Sequence, residues 1–402
     1  MDLKVKIRST LFDLIKWSVG VIPKNKKLIL FSAWFGEKYA DNTMYLFEYM
    51  LKNSKYDVYW YTKNGELYKT LQEKGIPVVW SKTLKAKWYQ ARAIILLSTV
   101  QTSDYHPLLF NKCILLDLDH GFPGKPVGLA QPTADDEWKR WYNFKLKGVD
   151  FYQTASSRFV ANFLSPCYDI PYDHYVFANK PRIDVLFDTE LQKGKNPHIV
   201  ELKKNHKIVS YLPTHRDCGR IPIPITEIMD LDSIQEVCEK HDTLFLIKKH
   251  FYHRLEKEDL SRYKNIIDIT HEDIDTQVLL AQSDALVTDF SSCYNDYLAL
   301  NRPIIFYAFD YEHYIENDRD YYWKYDKIEA GFTSTTKEGF TEALKAIVTD
   351  WNDTLHEKGR LAMRGLYFDK SVEMGTSRKK HVEIITDLIN KTYVPFNWMN
   401  LQ

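Results

Sequence analysis

Short apolar runs alternate with amphipathic stretches along most of this chain, in two successive series. The first series predicts strands at Lys27–Ser32, Asp57–Thr62, Val78–Trp80, Ala93–Ser98, Cys113–Leu118 and Phe151–Thr154, with a helix at Asp41–Lys52. The second predicts strands at Ile208–Leu212, Leu244–Lys248, Ile266–Ile269, Ala285–Thr288 and Pro303–Tyr307. Helical stretches Ser233–Lys240, Asp275–Gln282 and Ser292–Leu300 lie among the latter, and Lys337–Trp351 and Val372–Lys391 follow. Strands that alternate with helices form βαβ units around a parallel sheet. A polar, lysine-rich break at about residues 188–206 separates the series. The expectation is therefore α/β: two doubly wound, Rossmann-like domains facing a cleft, spanning residues 25–200 and 201–370. Residues 371–402 are expected to form a helix packing back across them. Ligands of such sheets bind beyond the carboxyl ends of the strands.

The remaining segment, residues 1–24, reads as an amphipathic helix. Leu3, Ile7, Leu11, Leu14, Ile15 and Ile22 recur at helical spacing beside Phe12 and Trp17, and residues 1–30 hold seven basic and two acidic groups. A basic amphipathic helix with an aromatic residue suits a membrane interface; a helix docked on its own protein has the same pattern. Asp13 and Lys16 interrupt the apolar stretch, so it does not read as a signal peptide. No run reaches the ~18 apolar residues of a spanning helix.

Composition narrows the partners. The 54 Lys+Arg balance 54 Asp+Glu, which argues against a nucleic-acid binder. The five cysteines, Cys113, Cys167, Cys218, Cys238 and Cys293, are odd in number and widely spaced, as expected of a reducing cytoplasm. Aromatic residues make up 14% of the chain, enough for large cores and for surfaces that meet a sugar, a base or a lipid interface.

Four constellations follow strands. His120, in Asp119-His-Gly-Phe-Pro123, is placed to act as a general base, with Gly121 allowing close backbone approach. Arg216, in Tyr211-Leu-Pro-Thr-His-Arg-Asp217, has the fork geometry of a phosphate clamp. His250 lies in Lys248-Lys-His-Phe-Tyr-His253. Thr288-Asp-Phe-Ser-Ser292 joins a strand to a helix, where hydroxyls and N–H groups suit an anion. Each has a plainer alternative: a loop histidine, a solvated Arg–Asp turn, a serine N-cap. Two Asp-x-Asp pairs, Asp117/Asp119 and Asp318/Asp320, are common by chance, and His250 and His253 lack a third ligand at a signature spacing, so no metal and no cofactor is expected.

Taken in order, these segments resemble the CDP-glycerol glycerophosphotransferase family, which builds teichoic acids and related capsule polymers. Asn301-Arg-Pro-Ile-Ile-Phe306, Asn317-Asp-Arg-Asp-Tyr-Tyr-Trp323, Trp34-Phe-Gly36 and Asp41-Asn42 add to the likeness, which runs from about residue 25 to 390. The resemblance implies a glycosyltransferase-B-like pair of domains. It implies catalytic roles for His120 and His250, with His120 the base, and an acceptor side that includes Asp119 and Gly121. It implies that Arg216, Thr288, Asp289, Ser291, Ser292 and Arg319 bind the donor. The implied reaction moves glycerol phosphate or ribitol phosphate from a CDP-polyol to an undecaprenyl-diphosphate-linked or polymeric acceptor, releasing CMP. The enzyme would work in the cytoplasm, peripheral on the inner membrane leaflet. A nucleotide-sugar glycosyltransferase of the same fold and a non-catalytic membrane-associated scaffold are the alternatives. Where relatives carry an aromatic residue before the first histidine, this chain has Asp119, which is expected to raise the basicity of His120.

Overall fold

The structure, a computed structural model, describes residues 3–122, 124, 126–131, 134–253, 258–317 and 327–396. Every expected apolar run forms a strand, and the strands build two parallel sheets. The first comprises β1 (Asn25–Phe31), β2 (Asp57–Thr62), β3 (Val78–Trp80), β4 (Ala93–Ser98), β5 (Cys113–Asp117), β6 (Val149–Ala155) and β7 (Tyr175–Phe177). Its order is β3-β2-β1-β4-β5-β6-β7. The second comprises β8 (Lys207–Leu212), β9 (Thr243–Ile247), β10 (Ile266–Asp268), β11 (Ala285–Thr288), β12 (Ile304–Tyr307) and β13 (Phe332–Ser334), in the order β10-β9-β8-β11-β12-β13.

Central strands such as β5 and β11 are buried along their whole length, hence their unbroken apolar runs. In each sheet the strand order reverses beside the first strand, at β1/β4 and at β8/β11. These are the switch points where doubly wound sheets open a crevice for ligand.

The chain divides into two compact units. The first holds Met1–His120, Val127–Asp184 and Ser371–Gln402; the second holds Gly121–Pro126 and Val185–Lys370. The handover thus falls at Asp184/Val185, earlier than the polar break suggests. Residues 185–200 go with the second unit because Asn196 Nδ2 donates to Asp273 O at 3.0 Å, Asp275 N donates to Asn196 Oδ1 at 2.8 Å, and Gln282 Nε2 donates to Gln192 Oε1 at 2.6 Å. The C-terminal helix Ser377–Asn390 returns to the first unit, where the backbone N–H groups of Ser377 and Arg378 donate to the Asp184 carboxylate, each at 2.8 Å.

Helix Leu3–Gly20 docks through one side of its Thr10–Gly20 stretch. Phe12 meets Trp141 and Phe144, and Asn111 Nδ2 donates to Lys16 O at 2.7 Å. The Lys16 ammonium is buried and donates to Lys145 O at 2.7 Å; burial pulls it down to about 8. On the other side Leu11, Leu14 and Trp17 are exposed, Trp17 to 65%. No helix among the described residues is long and apolar enough to cross a membrane.

Candidate functional site

In the first unit, the loops after β1, β4 and β5 converge on His120. Its ring is 42% exposed, and Nδ1 lies 3.0 Å from Thr99 O. A carbonyl only accepts, so Nδ1 carries the proton of the neutral ring and Nε2 keeps its lone pair. Asp119 Oδ1 is 3.2 Å from the same nitrogen and accepts the His120 N–H at 2.6 Å. Asp119 takes a left-handed backbone (φ 57°), which turns the chain out of the strand.

The pair Asp117/Asp119 is asymmetric. Burial opposes ionisation of Asp119, but Lys180 and His120 outweigh it and hold the carboxyl below its usual range. Lys180 Nζ, itself buried, is 3.3 Å from Asp119 Oδ2. Burial, reinforced by the Asp119 charge, pushes Asp117 up to about 8, so it holds a proton at neutral pH. Asp117 Oδ1 accepts from Ser98 Oγ at 3.1 Å and from the Asp119 N–H at 3.2 Å, which makes it the floor of the loop.

The loop is also clamped through its backbone. Arg182 Nη1 donates to His120 O at 2.5 Å and to Asp41 Oδ1 at 2.9 Å. Asn42 Nδ2 donates to Asp119 O at 2.7 Å, and Asn42 Oδ1 accepts the Arg182 N–H at 3.1 Å. Thr99, Lys180 and Arg182 are absent from the residues singled out in the sequence. Lys180 and Arg182 follow β7, a strand absent from the expected runs.

In the second unit, the loops after β8, β9 and β11 bring together His215, Arg216, His250 and Asp289. His215 lies 4.8 Å from His250 and 5.2 Å from Tyr252, measured between ring centroids. His250 Nδ1 accepts the Tyr252 N–H at 3.4 Å, a weak bond that leaves Nε2 as the donor in the neutral ring. The preceding Lys249 points inward, to Ile223 O at 2.6 Å and Glu258 Oε1 at 2.9 Å, and anchors the turn.

Arg216, expected among the donor-binding residues, is engaged by neighbours of its own unit. Its guanidinium is buried, with Nη2 2.8 Å from Asp289 Oδ2, Nε 2.7 Å from Asp310 Oδ2 and Nη1 donating to Thr214 O at 2.6 Å. Asp289 in turn accepts from Thr214 N and Oγ1 at 2.8 and 2.7 Å. This node ties the loop after β8 to those after β11 and β12. The Thr288 hydroxyl is likewise committed, donating to Leu212 O at 2.7 Å inside the sheet.

Ser291 and Ser292 stay half-buried just beyond the node. Gly121 belongs to the second unit, where a Cβ on it would come within 2.9 Å of Ser292 Oγ; the absent side chain is what admits this approach. Arg319, with Asp318 and Asp320, lies outside the described residues.

Two parallel sheets with polar loops at their switch points, one presenting an imidazole and the other a dense set of donors, suit a nucleotide-dependent transferase. The chain belongs to the CDP-glycerol:poly(glycerophosphate) glycerophosphotransferase family, whose profile matches residues 14–386. A teichoic acid poly(glycerol phosphate) polymerase of Bacillus spizizenii is 27% identical over 370 residues, covering 85% of this chain and 88% of that protein. A teichoic acid glycerol-phosphate transferase of Staphylococcus aureus is 26% identical, covering 88% and 93%. Among solved structures, a variant of the wall teichoic acid polymerase TagF soaked with CDPG has a TM-score of 0.76 at 23% identity, covering 97% of this chain and 99% of that one; it shares the fold.

Proposed function

We propose that this chain transfers glycerol phosphate or ribitol phosphate from a CDP-polyol to a hydroxyl of a growing teichoic acid or capsule polymer. The acceptor hydroxyl attacks the polyol-bearing phosphorus. A new P–O bond forms, the diphosphate bridge breaks, and CMP leaves with the bridging oxygen and its electron pair. The observation that carries this reading is the His120 ring, with Nδ1 tied to Thr99 O and Nε2 left to receive the hydroxyl proton. On the donor side, His250 Nε2–H and the hydroxyls of Ser291 and Ser292 balance charge on the diphosphate, while Arg216, Asp289 and Thr288 act as positioning residues. Transfer requires these two sets to share one reaction space, which the glycosyltransferase-B-like cleft implied by the family would supply. Positioning and electrostatics provide most of the rate in such chemistry.

The test is donor screening with product-length analysis. CDP-glycerol, CDP-ribitol and UDP-sugars are offered with a synthetic undecaprenyl-diphosphate-linked acceptor. CMP release coupled to acceptor growth is expected with at least one CDP-polyol. Transfer from UDP-sugars alone would replace this reading with glycosyl transfer.

The same reading puts the enzyme in the cytoplasm, on the inner membrane face where a lipid-linked acceptor emerges. The exposed Leu11, Leu14 and Trp17 support it. Leu84 and Trp88 are exposed on helix Leu84–Arg92, with the Arg92 guanidinium 5.4 Å from the Trp88 ring centre. Arg92 Nε donates to Pro23 O at 3.3 Å, which brings this second apolar and basic surface against the end of the first. Because Lys16 and Val19 are buried, point changes test the idea more cleanly than truncation. The double variant Leu14→Glu/Trp17→Glu should bind anionic vesicles at least about tenfold more weakly in sedimentation, from the apolar burial lost. Unchanged sedimentation would remove the membrane role.

A further inference from the structure

Three consecutive residues after β1 have left-handed backbones: Trp34 (φ 50°), Phe35 (φ 64°) and Gly36 (φ 85°). Only the glycine adopts this freely, and an added Cβ on it would meet Lys63 Cγ at 2.9 Å. Such backbone costs free energy at each non-glycine position and persists only where its surroundings over-determine it. Here they do. The Trp34 N–H donates to Thr99 Oγ1 at 3.0 Å, and Gly36 O accepts from Lys63 N at 2.7 Å and Thr62 Oγ1 at 2.9 Å. The buried Asp104 carboxylate accepts from Thr99 N at 2.8 Å and Val100 N at 3.2 Å, and also from the Phe35 N–H.

The strained loop sets the Trp34 indole against the base, 5.1 Å from the His120 ring centre. The Lys38 ammonium lies 5.4 Å from the same indole. An imidazole and a cation thus both lie against one aromatic ring, at the switch point of the acceptor-side sheet.

We infer that Trp34 and Lys38 form a subsite for the end of a polyol phosphodiester chain. The terminal hydroxyl faces His120, the carbons of the terminal polyol pass along the indole, and the first phosphodiester meets the Lys38 ammonium. This rests on the phosphotransfer reading and adds how the acceptor end is recognised. A cation beyond the first polyol distinguishes an acceptor that already carries polyol phosphate from a neutral alcohol.

The experiment is calorimetric titration of the full chain with a short synthetic oligo(glycerol phosphate), against a phosphate-free glycerol oligomer of equal length. The wild-type chain should bind the first and not the second. Lys38→Gln should weaken oligo(glycerol phosphate) binding about tenfold, the scale of one hydrogen bond to a charged group. Lys38→Arg should restore it, and Trp34→Phe should bind better than Trp34→Ala. In turnover assays the loss should fall on the acceptor KM and leave the CDP-polyol KM in place. Thermal melting separates lost binding from lost folding. Acceptor binding indifferent to Lys38→Gln, or an equal rise in both KM values, would overturn the subsite. Absence of CDP-polyol turnover in the wild-type chain would strike the phosphotransfer reading instead, and the titration would still decide the subsite.

Discussion

Replacing His120 by alanine should lower kcat by about 10²–10⁴-fold, the usual contribution of a positioned general base, while CDP-polyol binding survives. The expectation follows from where the imidazole is held. Thr99 O fixes the proton on Nδ1, and Asp119, anchored by Lys180, faces the same edge of the ring. In the proposed reaction, deprotonating the attacking hydroxyl falls to Nε2, and alanine leaves no group there to take the proton. The side chain is 42% exposed, so folding should be spared. His120→Gln serves as the companion: it preserves bulk and hydrogen bonding but cannot accept a proton at neutral pH, so it should resemble alanine in kcat. Steady-state kinetics beside equilibrium CDP-polyol binding reads both quantities. Turnover within a few-fold of wild type in either variant would sink the assignment.

Much of this architecture is legible because its strands are buried on both faces. Runs such as Cys113–Asp117 and Ala285–Thr288 need no alternation, and the loops that carry His120, Arg216 and Asp289 come directly after such runs. The edge strands Tyr175–Phe177 and Phe332–Ser334 are missing from the expected runs, although the equally short Val78–Trp80 is among them. Missing the first of them hides Lys180 and Arg182. Thr99 is invisible for another reason: it meets His120 through a backbone carbonyl, which no residue type announces. Arg216 shows the limit most sharply. Its chemistry suits a phosphate, and nothing local reveals that Asp310, 94 residues on, already holds it.

Arg216→Ala should accordingly act first on stability. The side chain is 3% exposed and contacts two carboxylates, while the guanidinium carbon lies 4.9 to 5.4 Å from the ring centres of Tyr314, Phe309 and Phe290. Burial disfavours its charge, but Asp289 and Asp310 outweigh burial and raise its pKa further. Removing it strands the fully buried Asp289 without its counter-charge. Breaking a buried pair in this way typically costs about 3–5 kcal/mol. Denaturant unfolding should show a loss of that order. Activity should fall in step with the folded fraction and recover in part at low temperature, because Asp289 also sets Thr214 and the segment leading to Ser291 and Ser292. Arg216→Met/Asp289→Asn removes the fully buried pair and leaves only the partly exposed Asp310 carboxylate unpaired, so its instability should be smaller than that of Arg216→Ala alone. A direct phosphate clamp would behave otherwise: Arg216→Ala would keep wild-type stability and lose donor affinity at every temperature. That result would move Arg216 from holding the loops to holding the diphosphate.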